Sequence, residues 1–569
     1  MGVTADELPS HSSGTRYRLH MLSRIFEKFE PEPGIEKLLL LLLLAIFLAH
    51  GTVAVFHMSA TGDETHYLGI GRYLIQNQKW DLMDTLLQPP LPYYLHGIPL
   101  LGLSIDDKLF RIPDFNARGR ALMAAYPDDR ILLLARIPIL LLATGLGFLV
   151  FYWGKQAYGG AGGLLALFLY AFNPVIIGNA AQITPDLCLS AFSALTVYFF
   201  WRYRHSPTLR HSLITGGALG LALLSKYSGV LVALALAVLA AAQPLLRRSS
   251  AEKPAYLWRF RHLVPIFLAA LFIVNAGYLF HGSFAPLGEN ARQSALFRQL
   301  QRMPLAQRIP LPLPEAYVTG LDLQHSVLEN GFNTYLLGQK AEKGWFHFYL
   351  VAFLLKTPAA VLVLLCITAA KGRDRLSWII LIPVLIFPLY FSAFRLSRGI
   401  RYILPIYPLL CVWAGQLALW ARDRSASPVL RSGFLLLLIW HAAGCIRIAP
   451  HYLAYINEIG GGPDNGINLL FESDFDWGQE MKGLNVYLRD RKIDRVKFGY
   501  FSTADPAHYG IEFEPLPCET PAKPETGIIA ASATALQAWG CYDWLRSYKP
   551  VDKVGYTIFI YDIPSRQFR

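Results

Sequence analysis

The sequence predicts an α-helical protein that crosses a membrane about eleven times and ends in a small α/β domain. Three observations carry this. The 569 residues are 54% hydrophobic and only 16% charged, far more apolar surface than a soluble fold of this length would bury. The apolar residues come in runs long enough to span a bilayer, and most Lys and Arg residues sit in the short segments between those runs.

A crossing helix takes about 17 to 25 mostly apolar residues. Runs near 37–57, 131–152, 161–180, 185–203, 262–281, 347–370, 376–394, 402–420 and 432–449 meet that length. The stretch from Leu213 to Leu246 is too long for one crossing and is interrupted by Lys226, Tyr227, Ser228 and Gly229, which predicts two short helices joined by a tight turn. An odd count places the two ends on opposite sides. The clusters Arg16/Arg18/Arg24/Lys28, Arg202/Arg204/Arg210, Arg247/Arg248/Lys253/Arg259/Arg261, Lys371/Arg373/Arg375 and Arg422/Arg424/Arg431 then share one face. The positive-inside rule makes that face cytoplasmic, N-terminus included. Orientation therefore explains the net charge of +12, and no nucleic-acid partner is expected. Met1 to Pro33 is polar, so the first apolar run is expected to remain as an anchor in a multi-pass plasma (inner) membrane protein.

The expected organisation is a cytoplasmic segment 1–36, a transmembrane domain 37–449 with outward loops at about 58–130 and 282–344, and an extracytoplasmic domain 450–569. The long loops should carry short amphipathic helices at the interface. In the last domain, Arg495–Phe501, Gly527–Ala531 and Val554–Tyr561 alternate like strands, and a helix is expected around Gln479–Arg489. Cys188, Cys366, Cys411 and Cys445 lie in apolar runs without metal-ligand spacing and read as packing residues. Cys518 and Cys541 lie in the outward domain, where a disulfide is chemically allowed. Gly159-Gly160 with Gly162-Gly163 lacks the Lys-Ser/Thr of a phosphate loop and reads as close helix packing.

The first outward loop opens with Asp63-Glu64, followed by Tyr67 and by Gln88-Pro89-Pro90-Leu91. An acidic pair at a membrane face is costly to desolvate and points to a task or a cation, the alternative being a solvated loop start. Further along stand Arg136, Gln182-Ile183-Thr184-Pro185-Asp186, the run from Gly220 to Gly229 containing Lys226, Arg401-Tyr402 through Pro408, Asn457-Glu458 with Gly460-Gly461-Gly462-Pro463, and Asp474-Phe475-Asp476-Trp477. In this order the elements resemble the dolichyl-phosphate-mannose protein mannosyltransferases (glycosyltransferase family 39) and their bacterial relatives, including the lipid A aminoarabinose transferases. Gln88 stands where that family carries a His.

The resemblance implies a GT-C fold and a membrane glycosyltransferase. Such an enzyme moves one sugar, a hexose such as mannose or a related sugar, from a polyprenyl-phosphate carrier to an extracytoplasmic hydroxyl on a protein, lipid or glycan, with inversion. Attack of a hydroxyl on an anomeric carbon needs a base at the reacting face, and a carboxylate suits that task. Asp63 is the candidate, with Glu64 positioning it through Arg136; the structural alternative is that Arg136 snorkels or pairs only to satisfy itself. The departing lipid phosphate gathers negative charge and needs fixed cations. Arg395, Arg398 and Arg401, next to Tyr402, lie on the outward side against the charge trend, and their three-residue spacing would align them along a helical turn; headgroup contact is the alternative. Lys226 could add a charge to the same phosphate, Asp186 sits at a helix start, and Gln88 with Pro89 would shape the sugar or acceptor subsite.

No cofactor is expected to be required. Asp474 and Asp476 could hold a divalent ion, but a wall or structural role is preferred for an outward domain without a nucleotide sugar, and the 15 His residues show no zinc spacing. Two other readings compete. A secondary transporter would gather its charges near the midplane and repeat itself, neither of which is seen. An oligosaccharyltransferase or polymer ligase is echoed by Asp476-Trp477-Gly478, but the flanking residues do not match.

Overall fold

A computed structural model describes residues 32–564, apart from 84, 243–255, 288–290, 309, 372–374, 423–426 and 520–523. The segment 1–31 with its four basic residues, and the cluster at 247–253, lie outside the described residues. Among the described residues the apolar runs predicted to cross are mainly helical, although the run near 161–180 is split between Arg130–Ala171 and Pro174–Ala180. Four helices are long and apolar enough to cross a membrane unaided: Pro33–His57, Arg130–Ala171, Leu376–Ala393 and Pro428–Ile448. Two bent pairs, Pro174–Ala180 with Pro185–His205 and Phe348–Lys356 with Ala359–Ala370, turn by 118° and 111° at short breaks. Shorter apolar helices at Leu209–Ser225, Val230–Ala242, Tyr256–Gly277 and Ile406–Ala414 fill in around them. The protein is an integral membrane protein built mainly of helices.

The breaks have local causes. Arg130–Ala171 is two helices that meet at Gly159, whose φ of 79° reverses the chain where only glycine is comfortable. Beyond that turn Gly154 and Gly163 approach so closely that a Cβ on Gly154 would stand 3.1 Å from Gly163 Cα, as the packing reading of the glycine run requires. Pro185 sits in the first turn of Pro185–His205, where its missing N–H leaves no helical bond unmade. The interruption at Lys226 becomes a 3₁₀ turn, Tyr227–Gly229, between two helices as predicted.

The long loops do contain short helices: Glu64–Asn77, Leu91–Gly97 and Phe115–Ala125 in the first, Glu315–Asn330 in the second. The second also holds a hairpin, β1 (Thr334–Leu336) with β2 (Gln339–Ala341), that no alternation announced. After the last membrane helix come 3₁₀ turns, the helix Met481–Asp490, and five more strands: β3 (Val496–Gly499), β4 (Phe513–Pro515), β5 (Gly527–Ser532), β6 (Asp552–Val554) and β7 (Ile558–Ile563). They form one sheet in the order β4-β3-β5-β7-β6, parallel at β3–β4 and β3–β5 and antiparallel on the β7 side. Val554–Tyr561 is therefore not one strand: Gly555, at φ 55°, turns the chain between β6 and β7. Cys518 and Cys541 form a disulfide.

The break at Thr357 is tied to the segment after the last membrane helix. Asn457 donates through Nδ2 to the carbonyls of Leu354 and Thr357, while its Oδ1 accepts from the N–H groups of Ile459 and Gly460. Lys356 Nζ donates 2.7 Å to Leu453 O and 2.6 Å to Asp474 O. One amide thus satisfies backbone groups freed by a helix break and a turn, which no apolar side chain can do. Asn457→Ala is expected to destabilise the fold by about 2 to 4 kcal/mol, since several buried backbone groups lose their partners at once. An unchanged melting transition of the purified variant in detergent would refute this assignment.

Candidate active site

Where the first helix ends, the chain turns through Met58–Gly62 into the helix Glu64–Asn77. Glu64 is fully buried and faces Arg136, which projects from the second membrane helix and is also fully buried. Arg136 uses every donor it has. Nε and Nη2 donate to the two Glu64 oxygens at 2.9 and 2.6 Å, Nη1 donates to the carbonyls of Val55 and Met58, and Nη2 also donates to Ser59 O. Glu64 is equally saturated. Oε1 accepts also from Ile183 N at 3.1 Å, and Oε2 from Thr61 N and Thr61 Oγ1. Such a carboxylate has no lone pair left to take a proton from a substrate.

Asp63, its neighbour, is built differently. Its side chain is 42% exposed, caps nothing at the helix start, and meets Arg401 Nη1 at 3.1 Å through Oδ2. Arg401 is buried, lies 3.8 Å from Asp186 Oδ2, and has its guanidinium 4.2 Å from the Trp477 ring centroid, a cation–π contact. Burial opposes its charge, but Asp63 and Asp186 more than restore it. Asp186, in the first turn of Pro185–His205, accepts 2.6 Å from Lys226 Nζ, which in turn sits 3.7 Å over the Tyr402 ring. Asp63, Arg401, Asp186, Lys226 and Tyr402, distant in sequence, therefore form one continuous group.

The arginine trio does not act as expected from its spacing. The helix ending at Ala393 stops before it, Arg395 has φ 52°, and residues 396–399 form no regular element, so no helical turn aligns the three. Arg395 is exposed, Arg398 is half-buried against the Phe332 ring at 3.4 Å, and only Arg401 enters the group around Asp63. The loop that delivers Arg401 is held by the Asp474 region. Asp474 Oδ1 accepts from Ile400 N at 2.6 Å, Ser473 Oγ donates to Arg398 O, and Gly399, at φ 95°, lies where a Cβ would strike Ser473.

Asp474 and Asp476 are both buried. Asp476 accepts from Gly478 N through Oδ1 and from Thr534 N through Oδ2, and burial pushes its carboxyl up to about 6 against those bonds. These residues read as structural walls. Gln88 and Pro89 are buried beside the helix Leu91–Gly97; Gln88 Oε1 has no hydrogen-bond partner, and among the described residues Gln88 shares no hydrogen bond with the Asp63 group. The link between the two is aromatic: Tyr67, one helical turn beyond Asp63, packs on Tyr93 at 5.7 Å. Trp477 and Glu472 were not singled out as site residues. Glu472 is raised by burial against the pull of Arg398 and Arg401, so it belongs to the same electrostatic neighbourhood.

Apolar helices whose buried ion pairs collect where several helix ends meet an α/β unit define a polytopic membrane protein with a polar site at one end of its bundle. Residues 131–273 carry the family domain described as dolichyl-phosphate-mannose-protein mannosyltransferase, which bears out the resemblance drawn from the motifs; Arg136, Asp186 and Lys226 lie within it. Over those residues the chain is similar to a family of glycosyltransferases. Among solved structures it is similar to ArnT from Cupriavidus metallidurans bound to undecaprenyl phosphate, at 14% identity and TM-score 0.44, over 92% of this chain and 98% of that one. It is also similar to the oligosaccharyltransferase AglB from Archaeoglobus fulgidus in complex with an inhibitory peptide and a dolichol-phosphate, at 12% identity and TM-score 0.43, over 92% and 75%. No curated protein matches the chain.

The Glu64–Arg136 pair gives a direct expectation. Glu64→Gln leaves a buried guanidinium without its counter-charge, which costs about 3 to 5 kcal/mol. The variant should unfold at markedly lower temperature in detergent than wild type. Wild-type stability would show that the pair does not hold this end of the bundle.

Proposed function

We propose that this protein transfers a single sugar from a polyprenyl-phosphate carrier to an acceptor hydroxyl, with Asp63 as the base. The observation that carries the reading is the contrast between two adjacent carboxylates: Glu64 is sealed and saturated, while Asp63 is half-exposed and bound only to an arginine suited to phosphate. The acceptor oxygen attacks the anomeric carbon and gives its proton to Asp63. The bond from that carbon to the phosphate oxygen breaks, its electron pair stays on the phosphate, and the anomeric configuration inverts. Arg401, with Lys226 beside it, stabilises the charge that builds on the leaving phosphate, and Arg398 borders the same space. Glu64 and Arg136 serve as positioning residues, Asp186 orients Lys226 and Arg401, and Tyr402 and Trp477 flank the cations with ring faces. The buried Gln88 and Pro89 turn shapes the outer wall of the sugar or acceptor subsite.

In this reading the site faces outward, the N-terminus is cytoplasmic, and residues from about 450 form an extracytoplasmic domain. Hexose-type carriers are the donors to try first, and the chemistry requires no metal at the reacting atoms.

Asp63→Asn should lower transfer by about a hundredfold or more while leaving the melting temperature near wild type. Turnover close to wild type would remove Asp63 from the chemistry. Arg401→Gln should weaken binding of a purified polyprenyl-phosphate sugar by about tenfold or more, measured by scintillation proximity in nanodiscs. Equal donor affinity in the variant and wild type would confine Arg401 to a structural role.

A further inference from the structure

The sequence offers no zinc spacing, yet among the described residues the fold assembles one metal-ligating set outside the Asp63 group. His57 closes the first membrane helix, His451 follows the last, and Glu480 precedes the helix Met481–Asp490. His451 Nδ1 stands 2.7 Å from Glu480 Oε1, and His57 Nε2 stands 3.6 Å from Glu480 Oε2. The two imidazoles meet edge to face with centroids 4.9 Å apart, and one ligand atom from each residue lies within 4.8 Å of the others.

Two features separate this arrangement from an ordinary hydrogen-bonded cluster. Glu480 is 1% exposed, yet among the described residues its Oε2 has only His57 Nε2, 3.6 Å away and beyond hydrogen-bond distance, to face it. A buried carboxylate oxygen with no donor is costly, and native structures rarely leave one so. The carboxylate is also given room. Gly555, at φ 55°, is the residue packed against it, and a Cβ there would come within 2.6 Å of the carboxyl carbon.

We propose that His57, His451 and Glu480 bind one divalent transition ion of the zinc class. Two imidazoles and one carboxylate suit zinc and its neighbours, whereas calcium and magnesium favour all-oxygen sites. The set supplies three ligands, and the partial exposure of both histidines leaves a further position for water. The ion ties together the ends of the first and last membrane helices and the start of the C-terminal unit. Its purpose is positional. The backbone just beyond His57 is already stitched to the segment before Glu480, through Ser59 N to Gln479 O at 3.0 Å and Gly62 N to Trp477 O at 2.9 Å. Clamping both at this point fixes the turn that presents Asp63 opposite Arg401.

The test is metal analysis of the full-length protein in detergent, purified without a metal-affinity tag or chelator, loaded with zinc and desalted. About one zinc per chain is expected in wild type and in Asp63→Asn, falling to near zero in Glu480→Gln and His451→Ala. Because those variants could fold poorly, a second measurement uses wild type alone: a strong zinc chelator should lower its melting temperature, and zinc but not magnesium should restore it. Folded wild type that retains no more than about a tenth of a zinc per chain would overturn the proposal. So would Glu480→Gln that holds as much zinc as wild type, or a melting temperature indifferent to the chelator. None of these results depends on the sugar-transfer reading, which stands or falls on the Asp63 and Arg401 variants.

Discussion

The ion pair between Glu64 and Arg136 is the constraint on which the rest of the site depends. Two charges buried at the end of a membrane helix are tolerated only if each lone pair and each N–H finds a partner, because the desolvation cost otherwise exceeds their attraction. Here the arginine spends its donors on Glu64 and on three carbonyls at the end of the first helix, and the glutamate spends its remaining acceptors on Thr61 and Ile183. One interaction therefore fixes the end of the first helix, the second helix, the turn that follows His57 and the break before Pro185. Asp63 contributes nothing to it, and that is why its carboxylate is left over.

The C-terminal unit supplies the opposite wall by similar means. Besides the backbone bonds from residues 59 and 62, Lys482 N donates to Ser59 Oγ and Ala60 N donates to Tyr509 OH, so the turn before Asp63 is held against residues 477–482 and Tyr509. Asp474 holds Ile400, Trp477 lies under Arg401, and Lys356 reaches across from a broken membrane helix to Asp474 O. The sheet itself stays clear of the charged group. Its work is to present a rim of 3₁₀ turns, and those turns carry the Asp-Phe-Asp-Trp tract that sequence alone marked only as a wall.

How much of this could be read beforehand follows from which forces act locally. Helix positions were legible because bilayer thickness imposes a length on apolar runs, and the turn at Lys226 was legible because polar residues interrupt such a run. Asp63, Glu64, Arg136, Asp186, Lys226 and Arg401 stood out partly as charges at a membrane face and partly through the family resemblance of the motifs that carry them. Pairings were legible only in part: Glu64 was expected to act through Arg136, and the two do pair, but nothing in the sequence says that Arg395 would point away while Arg401 turns inward. That difference arises because the helix ends at Ala393, before the trio, and the chain beyond it takes positive φ at Arg395 and Gly399. The split of Val554–Tyr561 into two strands has the same origin, a positive φ at one glycine inside an otherwise alternating run. His57, His451 and Glu480 meet only because the ends of the first and last membrane helices are neighbours, a fact of packing with no local signature.

The charge balance of the site has a consequence for the order of events in the proposed reaction. Asp63 and Asp186 offset Arg401 and Lys226, so the group is electrically neutral as it stands and both cations can be kept in place without a ligand. An arriving lipid phosphate brings negative charge and must compete for one of those cations. Lys226 is held tightly by buried Asp186, whereas Asp63 is the partly solvated partner and the one that water can most readily separate from Arg401. On this view donor binding transfers Arg401 from Asp63 to the phosphate. The carboxylate, released from its cation as the sugar arrives, is then free to face the acceptor hydroxyl that must lose its proton. A site arranged in this way keeps its base masked until the leaving group is already held.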